Sequence, residues 1–320
     1  MLSLHPQVKS LLEFMDSRGL PPIEELPLTE ARASFDVMSQ KLNQSETIAR
    51  VENKTIPGYK NEIQVRIYTP VENRVLPVLV YYHGGGWVIG SLDSYDALCR
   101  SLANKAECIV VSVDYSLAPE EKFPVAVEDA YLALEWVYKN AEELQIDRTS
   151  LAVGGDSAGG NLAAVVSYLT YLRKGPHVAC QMLFYPSVGF DRTESYEKFG
   201  EGYYLTKATM NWFTEQYLNS PEDMMDPLAA PLLIPDEEVV ELPPAYILTA
   251  EYDPLRDGGE AYAKKLSAAG VKTEYVRYPG MIHGFLSMTE AIEDGQKAII
   301  DAAKALKQKL SERAANRQRV

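Results

Sequence analysis

The stretch Leu151-Ala-Val-Gly-Gly-Asp-Ser-Ala-Gly-Gly160 passes from an apolar run through a glycine-rich turn into a helical pattern. The pattern G-x-S-x-G is typical of a tight strand-to-helix turn that projects a serine hydroxyl clear of a sheet. Side chains two residues before and after the serine would collide with that turn or the neighbouring strand, and glycine has none. The pentapeptide alone is a weak signal, but Leu151–Val153 before it and Asn161–Leu172 after it supply the strand and the helix. The stretch therefore predicts Ser157 as a nucleophile; a glycine-rich turn without chemistry is the alternative.

The rest of the chain repeats the alternation of strand and helix. Pro77–Tyr82 and Cys108–Val113 are short apolar runs rich in β-branched residues, as strands buried on both faces of a parallel sheet are. Parallel neighbours need a crossover connection, and the crossover helices cover both faces of the sheet. The sequence therefore predicts a doubly wound α/β sheet. Its predicted strands are 63–69, 77–82, 108–113, 151–153, 179–184, 245–249 and 273–278, and its predicted helices are 94–106, 125–144, 158–173, 257–269 and 290–313.

Two segments stand outside this alternation. Residues 1–45 predict one or two helices, interrupted at Pro21-Pro22. A second segment, rich in Tyr, Met and Pro, separates two predicted strands by a gap too long for an ordinary loop. We expect both segments to cap the carboxyl edge of the sheet. The predicted division is 1–45 for the N-terminal cap helices, 46–187 and 235–320 for the catalytic domain, and 188–234 for the cap insertion.

The composition of the chain restricts the kinds of partner and ligand that we expect it to bind. The net charge of −14 would repel a nucleic-acid backbone, because such binding depends on Lys and Arg neutralising phosphates. Cys99, Cys108 and Cys180 form no CxxC pair, so they predict buried thiols of a reducing compartment rather than a zinc site or disulfides. No run reaches the ~18 apolar residues that span a bilayer, and the first residues do not resemble a signal peptide. We expect a cytoplasmic protein without stable membrane insertion, bound metal or cofactor.

A second glycine-rich motif follows the predicted strand that ends at Tyr82. In His83-Gly84-Gly85-Gly86-Trp87 the successive glycines let the backbone turn its amides into a cavity without obstructing side chains. Fixed amide donors of this kind stabilise the negative oxygen of a tetrahedral intermediate. We predict Gly85, Gly86 and the amide of Ala158 as these donors. A flexible linker is disfavoured by the flanking strand and Trp87, and a phosphate loop by the lack of a nearby lysine.

The base is predicted by elimination among four histidines. In α/β hydrolases the triad residues follow in the order serine, acid, histidine, which excludes His5 and His83. His83 is expected to brace its own loop by hydrogen bonding. His177 falls where a helix gives way to a strand, at the opposite end of the sheet from the serine. His283 follows the strand 273–278 at its carboxyl end, so it is the predicted base.

The acid is expected after the preceding strand, 245–249. We predict Asp253 as this acid, because it precedes Pro254, which holds it extended and off the helix that follows. Glu251 and Asp257 are competitors. We expect Asp257 to cap a helix starting at Gly258, whereas Glu251 lies close enough to the strand end to remain a rival.

These motifs together resemble the hormone-sensitive-lipase-like carboxylesterases, the bacterial family IV esterases. The resemblance rests on His83-Gly-Gly-Gly-Trp87, Gly155-Asp-Ser-Ala-Gly-Gly160, Asp253-Pro-Leu-Arg-Asp257 and His283-Gly-Phe285, and extends from His5-Pro6-Gln7-Val8 to the last helix. It implies an α/β-hydrolase fold with an eight-stranded, mostly parallel sheet and a helical cap. It also implies hydrolysis of short acyl esters by Ser157, His283 and Asp253.

Further roles follow from the resemblance. Asp156 is expected to connect the serine turn to the glycine loop beside Gly84. The family usually has Glu where Gly258 stands. Dimers are common in the family, and the strand 273–278 is an expected place for a homodimer to pair. The residues that could line a substrate pocket are Trp87, Tyr203, Tyr204, Leu205, Trp212, Phe213, Phe285 and Leu286, with packing inside the cap as the alternative for Trp212 and Phe213.

Two other functions compete with ester hydrolysis. An amidase of the arylacetamide-deacetylase kind would use the same triad on a small-molecule substrate. A non-catalytic small-molecule receptor is known in the gibberellin receptor of plants, which resembles this family but lacks the catalytic histidine. Here His283 is present in the expected motif.

Overall fold

The computed structural model describes residues 3–317, and its central element is an eight-stranded sheet. The strand order is β1-β2-β4-β3-β5-β6-β7-β8. The second strand pairs antiparallel with the first and the fourth, and every other described pairing is parallel. The strands are β1 Arg50–Pro57, β2 Glu62–Thr69, β3 Leu76–Tyr82, β4 Ile109–Asp114, β5 Ile146–Asp156, β6 Cys180–Phe184, β7 Ala245–Tyr252 and β8 Thr273–Ile282.

Helices cover both faces of this sheet, as the α/β prediction requires. The helices are α1 Pro6–Ser17, α2 Leu28–Leu42, α3 Asp96–Ala106, α4 Val125–Lys139, α5 Ala158–Leu172, α6 Glu194–Phe199, α7 Lys207–Tyr217, α8 Asp236–Val239, α9 Arg256–Ala268 and α10 Glu293–Arg317. On one face α4, α5 and α9 pack against the sheet, and on the other α3 and α10 do so. The predicted α/β-hydrolase fold is thereby confirmed.

The strand that the sequence pattern did not predict is β1. It lies at the edge of the sheet and pairs only with β2 among the described strands. In its sequence, RVENKTIP, Ile56 is the one side chain buried in the core. An edge strand with so little burial shows no apolar alternation, so periodicity could not identify it.

Of the remaining helices, all but α8 lie in the two segments outside the strand–helix alternation. Residues 3–45 contain α1 and α2, and residues 188–234 contain α6 and α7 together with two short 3-10 turns. Residues 1–2 and 318–320 of the predicted segments lie outside the described residues. Within the described part of the chain, no helix has the length and apolarity required to cross a membrane.

The three cysteines are buried free thiols, as predicted. Burial raises the pKa of Cys108 and of Cys180 to about 12, and raises that of Cys99 further still. Each thiol therefore stays protonated and behaves as a small apolar core residue.

Candidate active site

Ser157 occupies a strained turn between the end of β5 and the start of α5. Its φ of 55° and ψ of −118° lie in a region that non-glycine residues rarely adopt. A Cβ on Gly159 would lie 1.9 Å from the carbonyl oxygen of Tyr82, and one on Gly155 would lie 2.4 Å from the same atom. Both glycines are required because β3 and the turn are in direct backbone contact, which explains the G-x-S-x-G spacing.

Three side chains from three separate loops meet at this turn. His283 Nε2 lies 2.9 Å from Ser157 Oγ, and His283 Nδ1 lies 2.8 Å from Asp253 Oδ2. Asp253 is fully buried, and the amide of Leu255 donates to its other oxygen at 2.8 Å. With Nδ1 protonated, His283 donates to Asp253 and its Nε2 accepts from the serine hydroxyl. This arrangement can remove the proton of Ser157 as the hydroxyl attacks a carbonyl carbon.

The two competing acids are held elsewhere. Glu251 Oε2 accepts from the amide of Gly280 at 2.7 Å. The predicted capping role of Asp257 is wrong, because α9 begins at Arg256 and the cap position is Leu255. Asp257 instead accepts from the amide of Ser195 at 2.7 Å, which connects α9 to α6.

The other histidines lie apart from Ser157. His83 is fully buried and stacks on Tyr115 with ring centroids 4.4 Å apart. Its Nδ1 lies 2.7 Å from the carbonyl oxygen of Gly84, a contact within its own loop of the kind predicted. His5 caps α1 by accepting from the amide of Gln7, and His177 is exposed.

The glycine loop after β3 leaves its amides available. Gly85 and Gly86 adopt φ values of 112° and 59°, which favour glycine. The carbonyl of Gly85 turns away and accepts from the amides of Val88 and Ile89. No described residue accepts a hydrogen bond from the amides of Gly85, Gly86 or Ala158. These are the donors that an oxyanion would require.

Asp156 connects the glycine loop to the serine turn. Its Oδ1 accepts from the amide of Gly84 at 3.0 Å and from the hydroxyl of Tyr81 at 2.8 Å, and its Oδ2 accepts from the hydroxyl of Tyr95 at 2.9 Å. Complete burial raises the pKa of this carboxyl, and the two tyrosine hydrogen bonds oppose that shift. The tyrosines were not identified from sequence, because a buried tyrosine in an apolar pattern carries no sign of its partner.

Arg32 is a further residue that sequence reasoning missed. From α2 its guanidinium donates to the carbonyl of Val88 at 2.9 Å and to that of Ala118 at 3.1 Å, and it forms a bidentate pair with Glu120. The N-terminal segment is thereby attached to the end of the glycine loop. A single arginine on an amphipathic helix belongs to no motif, so the sequence held no signal for this contact.

A cavity of about 1220 Å³ opens over Ser157 and His283. Its walls come from α1, α2, the glycine loop, the segment after β6, α7 and the start of α9. Of the predicted pocket residues, those that line it are Trp87, Tyr204, Leu205 and Phe213. The indole of Trp87 also stacks on Tyr217 at 4.3 Å between ring centroids, so only part of it faces the cavity.

The remaining pocket predictions are corrected by the structure. Phe285 and Leu286 are fully buried in the core between the sheet and α10, because Gly284 (φ 80°) turns the chain inward after His283. Tyr203 packs against Phe199 and Tyr252 with centroids 5.6 and 5.2 Å away. Trp212 packs beside Phe213 and against the core, which supports packing, the alternative considered for it, over a place in the cavity lining.

No group of three or more His, Cys, Asp or Glu side chains within residues 3–317 has the arrangement of a metal site. The groups that converge at the site are a serine, an imidazole, a carboxylate and a set of backbone amides.

Comparison with known proteins agrees with this geometry. Residues 79–287 match the family described as having the alpha/beta hydrolase fold. The chain is 44% identical over 269 residues to the carboxylic ester hydrolase LipN of Mycobacterium tuberculosis, covering 82% of this chain and 71% of that protein. It is 36% identical to an ethyl acetate hydrolase of Pseudomonas putida, covering 97% of this chain and all of that one. A solved ester hydrolase from the metagenome of Lake Arreo superposes with a TM-score of 0.92 at 44% identity, covering 95% and 98% of the two chains.

Proposed function

Because the chain belongs to the hormone-sensitive-lipase-like carboxylesterases of the α/β-hydrolase superfamily, and is therefore an ester-hydrolysing enzyme, we propose that Ser157, His283 and Asp253 carry out its reaction. The observation that carries the proposal is the chain of contacts from Asp253 Oδ2 through both nitrogens of His283 to Ser157 Oγ. Each contact lies within the range over which a proton is transferred along a hydrogen bond.

The reaction begins when neutral His283 takes the hydroxyl proton of Ser157 as the oxygen attacks the ester carbonyl. Asp253 keeps the imidazole in the tautomer with Nδ1 protonated and stabilises the cation that forms. His283 then gives the proton to the departing alcohol, and an acyl group stays on Ser157. Water repeats the sequence on this acyl-enzyme and releases the carboxylic acid.

The negative oxygen of both tetrahedral intermediates binds the amides of Gly85, Gly86 and Ala158. Support for this role comes from their lack of any described acceptor and from the φ values of the two glycines. Asp156 holds the loop in place through Gly84. Because these donors are fixed before substrate arrives, they need little reorganisation during the reaction.

The substrates are esters of short-to-medium acyl chains. The N-terminal helices and the 188–234 insertion act as a cap, since both contribute walls to the cavity over Ser157. The lining of this cavity is mostly apolar and includes Phe35, Val188, Phe213 and Leu255. Such a lined and partly enclosed site favours small apolar esters over a bulk lipid surface.

An ester–amide comparison tests this function against its main rival. Wild-type protein is assayed with p-nitrophenyl butyrate and with the matching anilide. Ester hydrolysis predicts a kcat/KM for the ester at least about 100-fold above that for the anilide, corresponding to roughly 3 kcal/mol in the barrier. Faster turnover of the anilide would identify an amidase, and binding without turnover of either would identify a receptor.

The cysteines and the edge strands of the sheet bear on the cellular location and the oligomeric state of the enzyme. A cytoplasmic location is supported by the three unpaired thiols. A homodimer would pair along β8, which is the edge strand of the sheet opposite β1. Light scattering on a size-exclusion column tests the dimer, and a monomer at micromolar concentration would reject it.

A further inference from the structure

Gly258 is a glycine that neither its backbone nor its neighbours require. It lies in the first turn of α9 and its φ is outside the positive range. A Cβ added there would meet only Val188 Cγ2, at an ordinary contact distance of 3.4 Å. The next residue differs, because a Cβ on Gly259 would lie 2.8 Å from Thr249 Cγ2. Since glycine disfavours a helix relative to alanine, the missing side chain at 258 calls for another explanation.

The position of Gly258 supplies that explanation. It lines the cavity above Ser157 next to Val188 and Leu255. This wall begins beside the nucleophile, because the amide of Ser187 donates to the carbonyl oxygen of Ser157 at 3.1 Å. A side chain at 258 would extend into space that the cavity otherwise keeps open.

The proton transfer from His283 indicates which part of the substrate, acyl or alcohol, lies along this wall. The alcohol oxygen must reach His283 Nε2 to receive a proton, so the alcohol group lies next to this imidazole. The acyl chain stays on Ser157, and we expect it to extend along the lining that begins beside this residue at Val188 and includes Phe190, Leu232, Leu255 and Gly258. Apart from Gly258 these side chains are apolar, as an alkyl chain requires.

We infer that Gly258 sets the length of the acyl chain that the enzyme accepts, by leaving open the end of the cavity between Val188 and Leu255. The inference rests on the proposed ester hydrolysis at Ser157 and names a residue that determines its substrate range. Gly258 does not touch the reacting atoms, so it acts on specificity and not on the chemical steps.

The test uses Gly258→Ala and Gly258→Leu with p-nitrophenyl acetate, butyrate and octanoate. For acetate, kcat/KM is expected to stay within about twofold of wild type. For octanoate it is expected to fall about 10-fold in the alanine variant and about 100-fold in the leucine variant, since each methylene in an apolar pocket changes kcat/KM by roughly that factor or more. Adding Val188→Ala to Gly258→Ala should restore octanoate turnover, because it removes the methyl group nearest the new Cβ.

Two controls separate pocket length from general damage. Ser267→Ala changes an exposed residue of the same helix away from the cavity, and its length profile should equal that of wild type. The Tm of Gly258→Ala should be at or above the wild-type value, because alanine is the better helix former. For butyrate esters of increasingly long alcohols, the dependence of kcat/KM on alcohol length should be the same in wild type and in both variants at 258.

The outcomes are distinct. Equal loss of acetate and octanoate turnover, an unchanged length profile, or a loss that follows alcohol length would overturn the inference. So would a wild-type enzyme unable to use octanoate, because the open wall would then have no occupant. A wild type that hydrolyses no ester would instead reject the proposed function, whereas normal ester hydrolysis with unaffected variants would reject only the role of Gly258.

Discussion

The serine turn and the cavity wall use glycine for opposite reasons. A Cβ on Gly159 would lie 1.9 Å from a backbone oxygen of β3, whereas one on Gly258 would meet a single methyl group at 3.4 Å. The turn tolerates no side chain because two backbone segments touch there. The wall tolerates one, at the expense of cavity space. Steric contacts with the neighbouring backbone therefore require glycine in the serine turn. The substrate range depends instead on positions such as 258, which can change without disturbing the fold.

The largest expected effect belongs to the turn itself. In Ser157→Ala the nucleophile is lost while its neighbours stay, so kcat should fall by about 10⁵-fold or more. Circular dichroism and Tm should stay close to wild type, because the lost hydroxyl is bonded only to His283 among the described residues. Wild-type rates in this variant would end the assignment of Ser157.

The steric contrast predicts a large loss of stability at Gly159. Gly159→Ala forces the turn and β3 apart, and should lower the free energy of unfolding by about 3 kcal/mol or more. The matched control is Gly189→Ala, because a Cβ at Gly189 would have its nearest neighbour 3.8 Å away, on Leu232. Denaturant unfolding of the two variants should differ widely. Equal stabilities would show that the turn is more pliable than its contacts imply.

A smaller effect is expected where the turn joins the glycine loop. Asp156→Asn keeps an oxygen for the amide of Gly84 but replaces charge-assisted hydrogen bonds by neutral ones. A loss of about 1.4 kcal/mol, or about tenfold in kcat, is expected because Gly84 precedes the oxyanion donors. An unchanged kcat would show that the loop does not depend on this carboxylate.

The stability difference between wild type and Asp156→Asn should also depend on pH. Burial raises the pKa of Asp156 in the folded protein above its unfolded value. Its contribution to stability is therefore fully present below the unfolded pKa and is lost as pH rises through the folded pKa. The stability of wild type relative to Asp156→Asn should thus be greater at about pH 4.5 than at about pH 8. Urea unfolding at both pH values measures this, and the opposite trend would contradict the assigned shift.

The smallest effect concerns the attachment of α2. The hydrogen bonds from Arg32 lower the pKa of Glu120, so its contribution is present above the unfolded pKa and lost as pH falls through the folded pKa. Glu120 is 57% exposed, so Glu120→Gln should cost less than about 1 kcal/mol at neutral pH. That difference should shrink once the pH falls below the unfolded pKa of a Glu, about 4.3, and disappear when the pH is below the lowered folded pKa. A cost that persists there would assign the effect to packing instead of charge.

The convergence of three side chains was predicted from local sequence signals. Ser157, Asp253 and His283 each follow a predicted strand, and the carboxyl ends of parallel strands meet at one edge of a sheet. Their convergence could therefore be predicted without coordinates. The sheet was predicted for the same reason, since its buried strands are continuous apolar runs.

The features that escaped prediction depend on distant partners. The polar strand β1 has no apolar alternation in its sequence, and it is stabilised by its pairing with β2. The sequence predicted that Tyr203 and Phe285 line the pocket, whereas Tyr203 packs against Phe199 and Tyr252, and Phe285 is buried in the core. Arg32 contacts the carbonyl of a residue 56 positions away. Which face a side chain presents to a cavity is decided by tertiary packing, which a short window of sequence does not contain.

The most direct test of the catalytic assignment is covalent labelling with a p-nitrophenyl alkylphosphonate. If Ser157 is the nucleophile, we expect release of about one equivalent of p-nitrophenol per chain, a single adduct on Ser157 by mass spectrometry, and loss of esterase activity in step with labelling. Ser157→Ala should release none. An adduct on another residue, or full activity in the labelled protein, would contradict the claim that Ser157 is the nucleophile.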